Sequence, residues 1–318
     1  MKKSTIRETS HSQGSQSDEI DLIDIVLALW RGKWVITVTT IVFAVCAILY
    51  SINLPNIYKA DALLAPSETS NPSGLAGMAG QLGGLAALTG VNFGTSEYSR
   101  TDLAVQVIKS RQFIGRFIEK HDLLVPLLAA KGWDLNQNEL LLDSELYDEK
   151  NNKWLRDASG LRSATPSSQE AYEFFRTKVF SINKDKESGL YVVSVKHYSP
   201  YIAKKWLNWL IEDINDVMRK RTIDEASQNL DYLNTQLRKT AITDMQSTFY
   251  KLIEEQTKSL MLAEVQEEFV FKTVDPATVP EIKSEPNRAF ICVLITLIGA
   301  IFSSAIVLLN FALREKDK

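Results

Sequence analysis

The residue types that carry most enzyme chemistry are sparse in the middle of this sequence. Between residues 53 and 288 the histidines are His121 and His197, far apart and without metal-ligand spacing. Carboxylates are numerous enough for an acid/base pair, yet Asp148-Glu149 and Glu267-Glu268 read more simply as solvated faces. No serine elbow, zinc-binding helix motif or glycine-rich nucleotide loop is present. Trp206 and Trp209, three apart on a helical stretch, have the spacing to stack on sugar rings and equally to pack a core. Arg219-Lys220-Arg221 could meet an anionic polysaccharide or lipid, or stay solvated. The expectation is a chain without catalytic residues, bound metal or cofactor.

The elements that would hold such residues follow from how charge is distributed. The 318 residues carry 36 Lys+Arg and 39 Asp+Glu, a net charge of −3, which excludes a strongly basic nucleic-acid binder. The 45% hydrophobic content is that of an ordinary soluble protein, but it is unevenly spread. Residues 34–58 carry no charge, and neither do residues 289–313. Each run is long enough for a helix to cross a bilayer core of roughly 30 Å. Arg31 and Lys33 precede the first run, and Arg314, Lys316 and Lys318 follow the second, which places both termini in the cytoplasm. Trp30, Trp34, Tyr50 and Tyr58 bracket the first run at headgroup level. Both cysteines, Cys46 and Cys292, fall inside the runs, so the exported part needs no disulfide. The organisation expected is a cytoplasmic tail over 1–33, spans over 34–52 and 289–310, an exported, extracytoplasmic domain over 53–288 and a tail over 311–318.

Within this frame, Ile20 to Trp30 places Asp21 and Asp24 among apolar residues. That pattern fits an amphipathic helix at the cytoplasmic interface or an upstream extension of the span. Residues 74–94 interleave glycine with Leu, Ala and Met; Gly77, Gly80, Gly83 and Gly84 permit a flexible loop or a close contact with a subunit or the membrane. Strands are expected at Ile57–Pro66, Leu190–Lys196 and Phe269–Val274, forming a small sheet near the membrane. Helices are expected over Thr101–His121 and Ser167–Val179, the latter capped by Ser167 or Ser168. Between Pro200 and Pro276 there is no glycine or proline, and apolar residues recur at spacings of three and four. A helix over about 202–267 that projects from the membrane is expected, with a hairpin broken near 240 as the alternative.

The approach to the second span is more specific. Pro276, Pro280 and Pro286 stiffen an extended segment that also holds Ser284 and leads directly into the apolar run. Inside that run Gly299 and Ser303, like Ala300 and Ser304, are small residues four apart, which allows close helix approach.

In the order of these features the chain resembles the Wzz family of chain-length determinants, the polysaccharide co-polymerases of bacterial inner membranes. Four features carry the resemblance: Ile20-Asp21-Leu22-Ile23-Asp24-Ile25, the stretch 74–94, the long glycine-free helix and the proline-rich approach. The family signature ends in Ser-Pro-Lys; here Ser284-Glu285-Pro286-Asn287-Arg288 stands in its place, and the glycine further on is Gly299. The resemblance implies an α+β fold: two transmembrane helices flank a periplasmic domain with a small membrane-proximal sheet and a very long protruding helix. It implies a non-enzymatic regulator without cofactors, of the kinase-free class. Such a protein would form a homo-oligomeric ring and act with a membrane polymerase on lipid-linked polysaccharide to set the modal length of lipopolysaccharide O-antigen. Enterobacterial common antigen, capsule or exopolysaccharide are alternative polymers, and a membrane-tethered sensor ectodomain or glycan enzyme are rivals of another kind. Pro276, Pro280, Ser284, Pro286, Gly299 and Ser303 would position the second span, and Asp21, Asp24 and Trp30 the cytoplasmic approach to the first.

Overall fold

A computed structural model describes residues 29–67, 100–160, 162–240 and 243–316. In chain order the elements are α1 (Lys33–Asn53), β1 (Tyr58–Pro66), α2 (Arg100–Ile108), α3 (Arg111–Lys120), α4 (Leu124–Leu128), β2 (Ala130–Asp134), β3 (Glu139–Leu142), β4 (Tyr147–Asp148) and β5 (Lys153–Trp154). There follow α5 (Ser168–Phe174), β6 (Phe180–Lys184), β7 (Tyr191–His197), α6 (Pro200–Lys239), α7 (Thr243–Val265), β8 (Phe271–Asp275) and α8 (Arg288–Lys316). They divide into two compact units: α1 with α8, and everything between Pro55 and Pro286.

The central unit is built on one antiparallel sheet in the order β6-β7-β1-β8. Alternation makes β1 a strand: Ala60, Ala62 and Leu64 are buried while Asp61 between them is exposed. On β7, Tyr191, Val193, Val195 and His197 turn one way into the core, and Ser194 is buried on the other face. The first half of α6 packs on β1 and β7. It buries Ala203, Trp206, Leu207, Leu210, Ile214 and Met218, a helical stripe at spacings of three and four. Phe113, Ile114, Phe117 and Ile118 of α3 and Phe175 complete the same core. Two short hairpins, β2–β3 and β4–β5, lie apart from the main sheet, the second closing on Tyr147 and Trp154.

The three expected strands form within a residue or two of the expected positions, and β6 adds a fourth. Two helical expectations need correction. The stretch Thr101–His121 is two helices, because Ser110 adopts an extended backbone and its hydroxyl accepts the Phe113 N–H to start α3 afresh. The helix expected over 202–267 is not continuous. Thr240 is extended (φ −98°, ψ 121°), Gln246 donates to its carbonyl at 2.8 Å, and α7 folds back along α6. Asn229 donates to Gln256 across the hairpin at 3.3 Å, a contact that a straight rod would forbid. A single helix would leave the stripe at Ala226 and Leu233 facing water; folding back buries both. The protruding element is therefore α6, 40 residues and about 60 Å long, braced by α7.

Candidate functional site

In the central unit the proline-rich segment is stitched to the start of β1. Ile57 donates to Glu285 O at 2.9 Å, and its own carbonyl accepts the Ser284 and Glu285 N–H groups at 2.8 and 3.2 Å. The prolines contribute no N–H, so the amides between them make this bridge. The Glu285 carboxylate also takes the Lys196 ammonium of β7 at 2.5 Å. Ala277 is buried, Pro276 is exposed, and Pro280 and Pro286 are half-buried, with the Glu285–Pro286 peptide cis. Of the expected residues here, Ser284 bonds Ile57 through its backbone N–H, and its side chain is exposed.

In the unit of α1 and α8, both helices are apolar and long enough to cross a membrane, over Lys33–Asn53 and Arg288–Asn310. They run antiparallel. Arg288 donates to Leu54 O at 3.2 Å, supplying a cation where the carbonyls of α1 end. At mid-length Gly299 faces Phe43: a methyl group built on it would stand 2.6 Å from Phe43 Cγ and 2.7 Å from Cβ. At the other end Gly32 faces Val307 just as closely. Ser303 is buried and its hydroxyl returns to Ala300 O at 2.9 Å, as does that of Ser304 at 2.8 Å. Lipid tails are as apolar as these side chains, so close packing rather than hydrophobic burial holds such a pair. Gly299 thus meets a helix of its own chain. Gly299→Leu should loosen the pair by about 1–3 kcal/mol, read as an earlier thermal unfolding of the detergent-solubilised protein. Phe43→Ala in the same chain should recover most of the loss, and unchanged melting of Gly299→Leu would refute the contact.

Trp30 is exposed, with the Lys33 ammonium 5.0 Å from its ring centroid. Asp21, Asp24, Gly77, Gly80, Gly83 and Gly84 lie outside the described residues.

The residues weighed for chemistry are absorbed by packing. Trp206 is buried in the core, and Trp209 stacks on His121 at 4.1 Å with the Lys205 ammonium 4.6 Å from its ring. His121 Nε2 meets Asp213 Oδ2 at 2.9 Å, and Lys120 meets Oδ1 at 2.5 Å, so the end of α3 is pinned to α6. That hydrogen bond raises the Lys120 pKa above the ordinary lysine value. Arg219 and Lys220 both pair with Asp216, and Arg221 with Glu225. Partial burial pushes the Asp216 carboxyl up, but the two cations outweigh it and hold its pKa below the usual range. A cavity of about 420 Å³ lies beside this cluster, floored by Phe113 and Phe117 and rimmed by Arg116 and Lys220. A second, of about 700 Å³, is lined by Trp154, Phe174 and the Arg156–Glu170 ion pair. Among the described residues no group of three or more His, Cys, Asp or Glu is placed to hold a metal ion.

Sequence reasoning missed Gly32, Phe43, Lys196 and Asn215, whose partners lie far along the chain. Asn215 of α6 donates to Phe271 O at 3.0 Å and accepts the N–H groups of Val270 and Phe271 at 2.8 and 2.9 Å. An asparagine amid a helical apolar stripe was the available signal, since helix interiors disfavour it.

Residues 18–121 match the family model of the Wzz chain length determinant proteins, so the resemblance expected from the sequence is borne out over that stretch. The tyrosine-protein kinases wzc of Salmonella typhi and Salmonella typhimurium are 29% identical over 125 residues, 37% of this chain. The matched stretch is 16% of the length of those relatives. Among solved structures, a full-length bacterial polysaccharide co-polymerase is similar at 16% identity and a TM-score of 0.39, covering 93% of this chain and 99% of that one. A fragment of WzzB, a polysaccharide co-polymerase from Salmonella Typhimurium, is similar at 12% identity and a TM-score of 0.28, covering 72% of this chain and 99% of the fragment.

Proposed function

We propose that this chain is a non-enzymatic regulator of polysaccharide length, acting in the bacterial inner membrane. In this reading α1 and α8 span the bilayer, both termini are cytoplasmic, and the unit between them is periplasmic. The observation that carries it is the family match, whose residues 18–121 run through α1, β1, α2 and α3 and so take in both a span and part of the core. The orientation is supported by Arg31 ahead of α1 and Lys33 at its first residue, and by Arg314, Lys316 and Lys318 after the charge-free run 289–313. As a homo-oligomeric ring the protein would act with a membrane polymerase on lipid-linked polysaccharide, setting the modal length of O-antigen. Deleting the chain and separating lipopolysaccharide on a gel tests this directly: the modal band should disappear into an unregulated ladder. An unchanged ladder together with an altered length of another surface polymer would move the role to that polymer. If both stay unchanged, the regulatory reading fails.

A further inference from the structure

Three aromatic rings gather where the first strand begins. Trp133 of β2 meets Tyr58, the first residue of β1, edge-on at 5.8 Å between centroids, and Tyr201 near the start of α6 at 6.0 Å. The Trp133 indole N–H is satisfied by Asn138 Oδ1 at 3.0 Å. Around it the surface is open: Tyr201 is 51% exposed and Leu135 in the β2–β3 turn 73%, beside the exposed polar side chains of Asn136, Gln137 and Asn138 in the same turn. Rings with an apolar body and a polar tip, flanked by aliphatic side chains, suit the headgroup layer of a bilayer.

The covalent chain says what such a patch would face. Tyr58 follows Asn53, the last residue of α1, through Leu54-Pro55-Asn56-Ile57 alone, a reach of at most about 17 Å when fully extended. Ile57 is in turn hydrogen-bonded to Ser284 and Glu285, a few residues ahead of α8. If both helices span, two independent tethers hold Tyr58 close to the rim of the hydrocarbon, where each headgroup layer is about 5–8 Å thick. We propose that Trp133, with Tyr58 and Tyr201, is an interfacial anchor that seats the base of the central unit on the lipid headgroups. The anchor rests on the reading of α1 and α8 as spans.

The test uses the full chain in vesicles of phosphatidylethanolamine and phosphatidylglycerol, doped with lipid carrying either a headgroup nitroxide or acyl-chain bromine. Trp133→Phe keeps a ring in place, so the emission of the wild type minus that of Trp133→Phe isolates Trp133. Headgroup nitroxide should quench this difference emission about twofold or more, with acyl bromine acting less. The same subtraction with Trp34→Phe reports on α1. Quenching of Trp34 without quenching of Trp133 would overturn the anchor and leave the spans standing; quenching of neither would overturn both. A Trp133 emission that is shielded and blue-shifted yet unquenched would mean that a second copy covers the patch, which also overturns it.

Discussion

Replacing Asn215 by leucine should destabilise the central unit by about 3 kcal/mol or more. Its amide is buried, 4% exposed, and both ends are used: Nδ2 reaches Phe271 O, and Oδ1 takes the Val270 and Phe271 N–H groups. Leucine has the same branched heavy-atom skeleton, with bulkier methyl groups, and a better helix propensity, so the helix itself gains slightly. The loss falls on three buried main-chain groups, each costing about 1–3 kcal/mol when left unpaired, minus whatever water can restore. A single domain holds only about 5–15 kcal/mol in all, so this is a large share. The consequence extends beyond Asn215, because Phe271 opens β8, and β8 hands the chain to the segment that Ile57 and Lys196 hold. Asn229→Leu supplies the control. It lies on the same helix but at the exposed part of the hairpin, with one 3.3 Å bond to Gln256, and should cost under about 0.5 kcal/mol. Urea unfolding of the detergent-solubilised chain, followed by tryptophan emission, measures both. Equal midpoints for the two variants would remove Asn215 from its proposed place.

How much of this was legible in advance depended on the range of each interaction. The two long apolar helices were readable because charge is absent over residues 34–58 and 289–313, a signal that needs no partner. Strands β1, β7 and β8 were readable because alternation is local, and the Ser167 cap because its acceptor role lies three residues away. Strand β6 was hidden: Phe180-Ser181-Ile182-Asn183-Lys184 does alternate, but it follows a helical turn with no Gly or Pro between them. The α6–α7 turn was legible only as the alternative to a continuous helix, since Lys239-Thr240 and Thr243 carry no breaker and the shift in phase of the apolar stripe is the one local sign of it. What folds the hairpin is burial of Ala226 and Leu233, and no local window contains that term. The candidate site divides in the same way. Gly299 was readable as a place for close approach, whereas its partner Phe43 was not, because 256 positions of chain separate the two residues. Residue types of short reach could be assigned a kind of role, but the packing that gives the role a partner is tertiary.

Acid should destabilise the protein through His197 as well as through its carboxylates. His197 ends β7 and is 6% exposed; its Nδ1 accepts the Ser199 N–H at 3.0 Å and its Nε2 lies 3.0 Å from Pro126 O. A backbone N–H can only donate and a carbonyl can only accept, so these partners select the neutral ring with its proton on Nε2. A second proton would place two donors face to face and a cation beside the start of α6, where the helix dipole is also positive. Burial accordingly lowers the His197 pKa from 6.5 to about 4, the hydrogen bond to the Pro126 carbonyl opposing it only in part. The sign follows from which state takes up the proton first. The unfolded chain protonates near pH 6.5 while the folded chain resists until about pH 4, so unfolding takes up a proton throughout that interval. Stability should therefore be unaffected by His197 above about pH 7, fall as pH drops through 6.5, and level off below about 4, for a total of about 3 kcal/mol. Carboxylates such as Asp216, whose pKa is depressed by Lys220 and Arg219, lose their contribution further into acid and blur the raw profile. His197→Gln removes only the imidazole titration, so the wild-type stability minus that of the variant isolates it. That difference should decline between pH 7 and pH 4, and a flat difference would mean that the ring is charged in the folded protein or reaches water before unfolding.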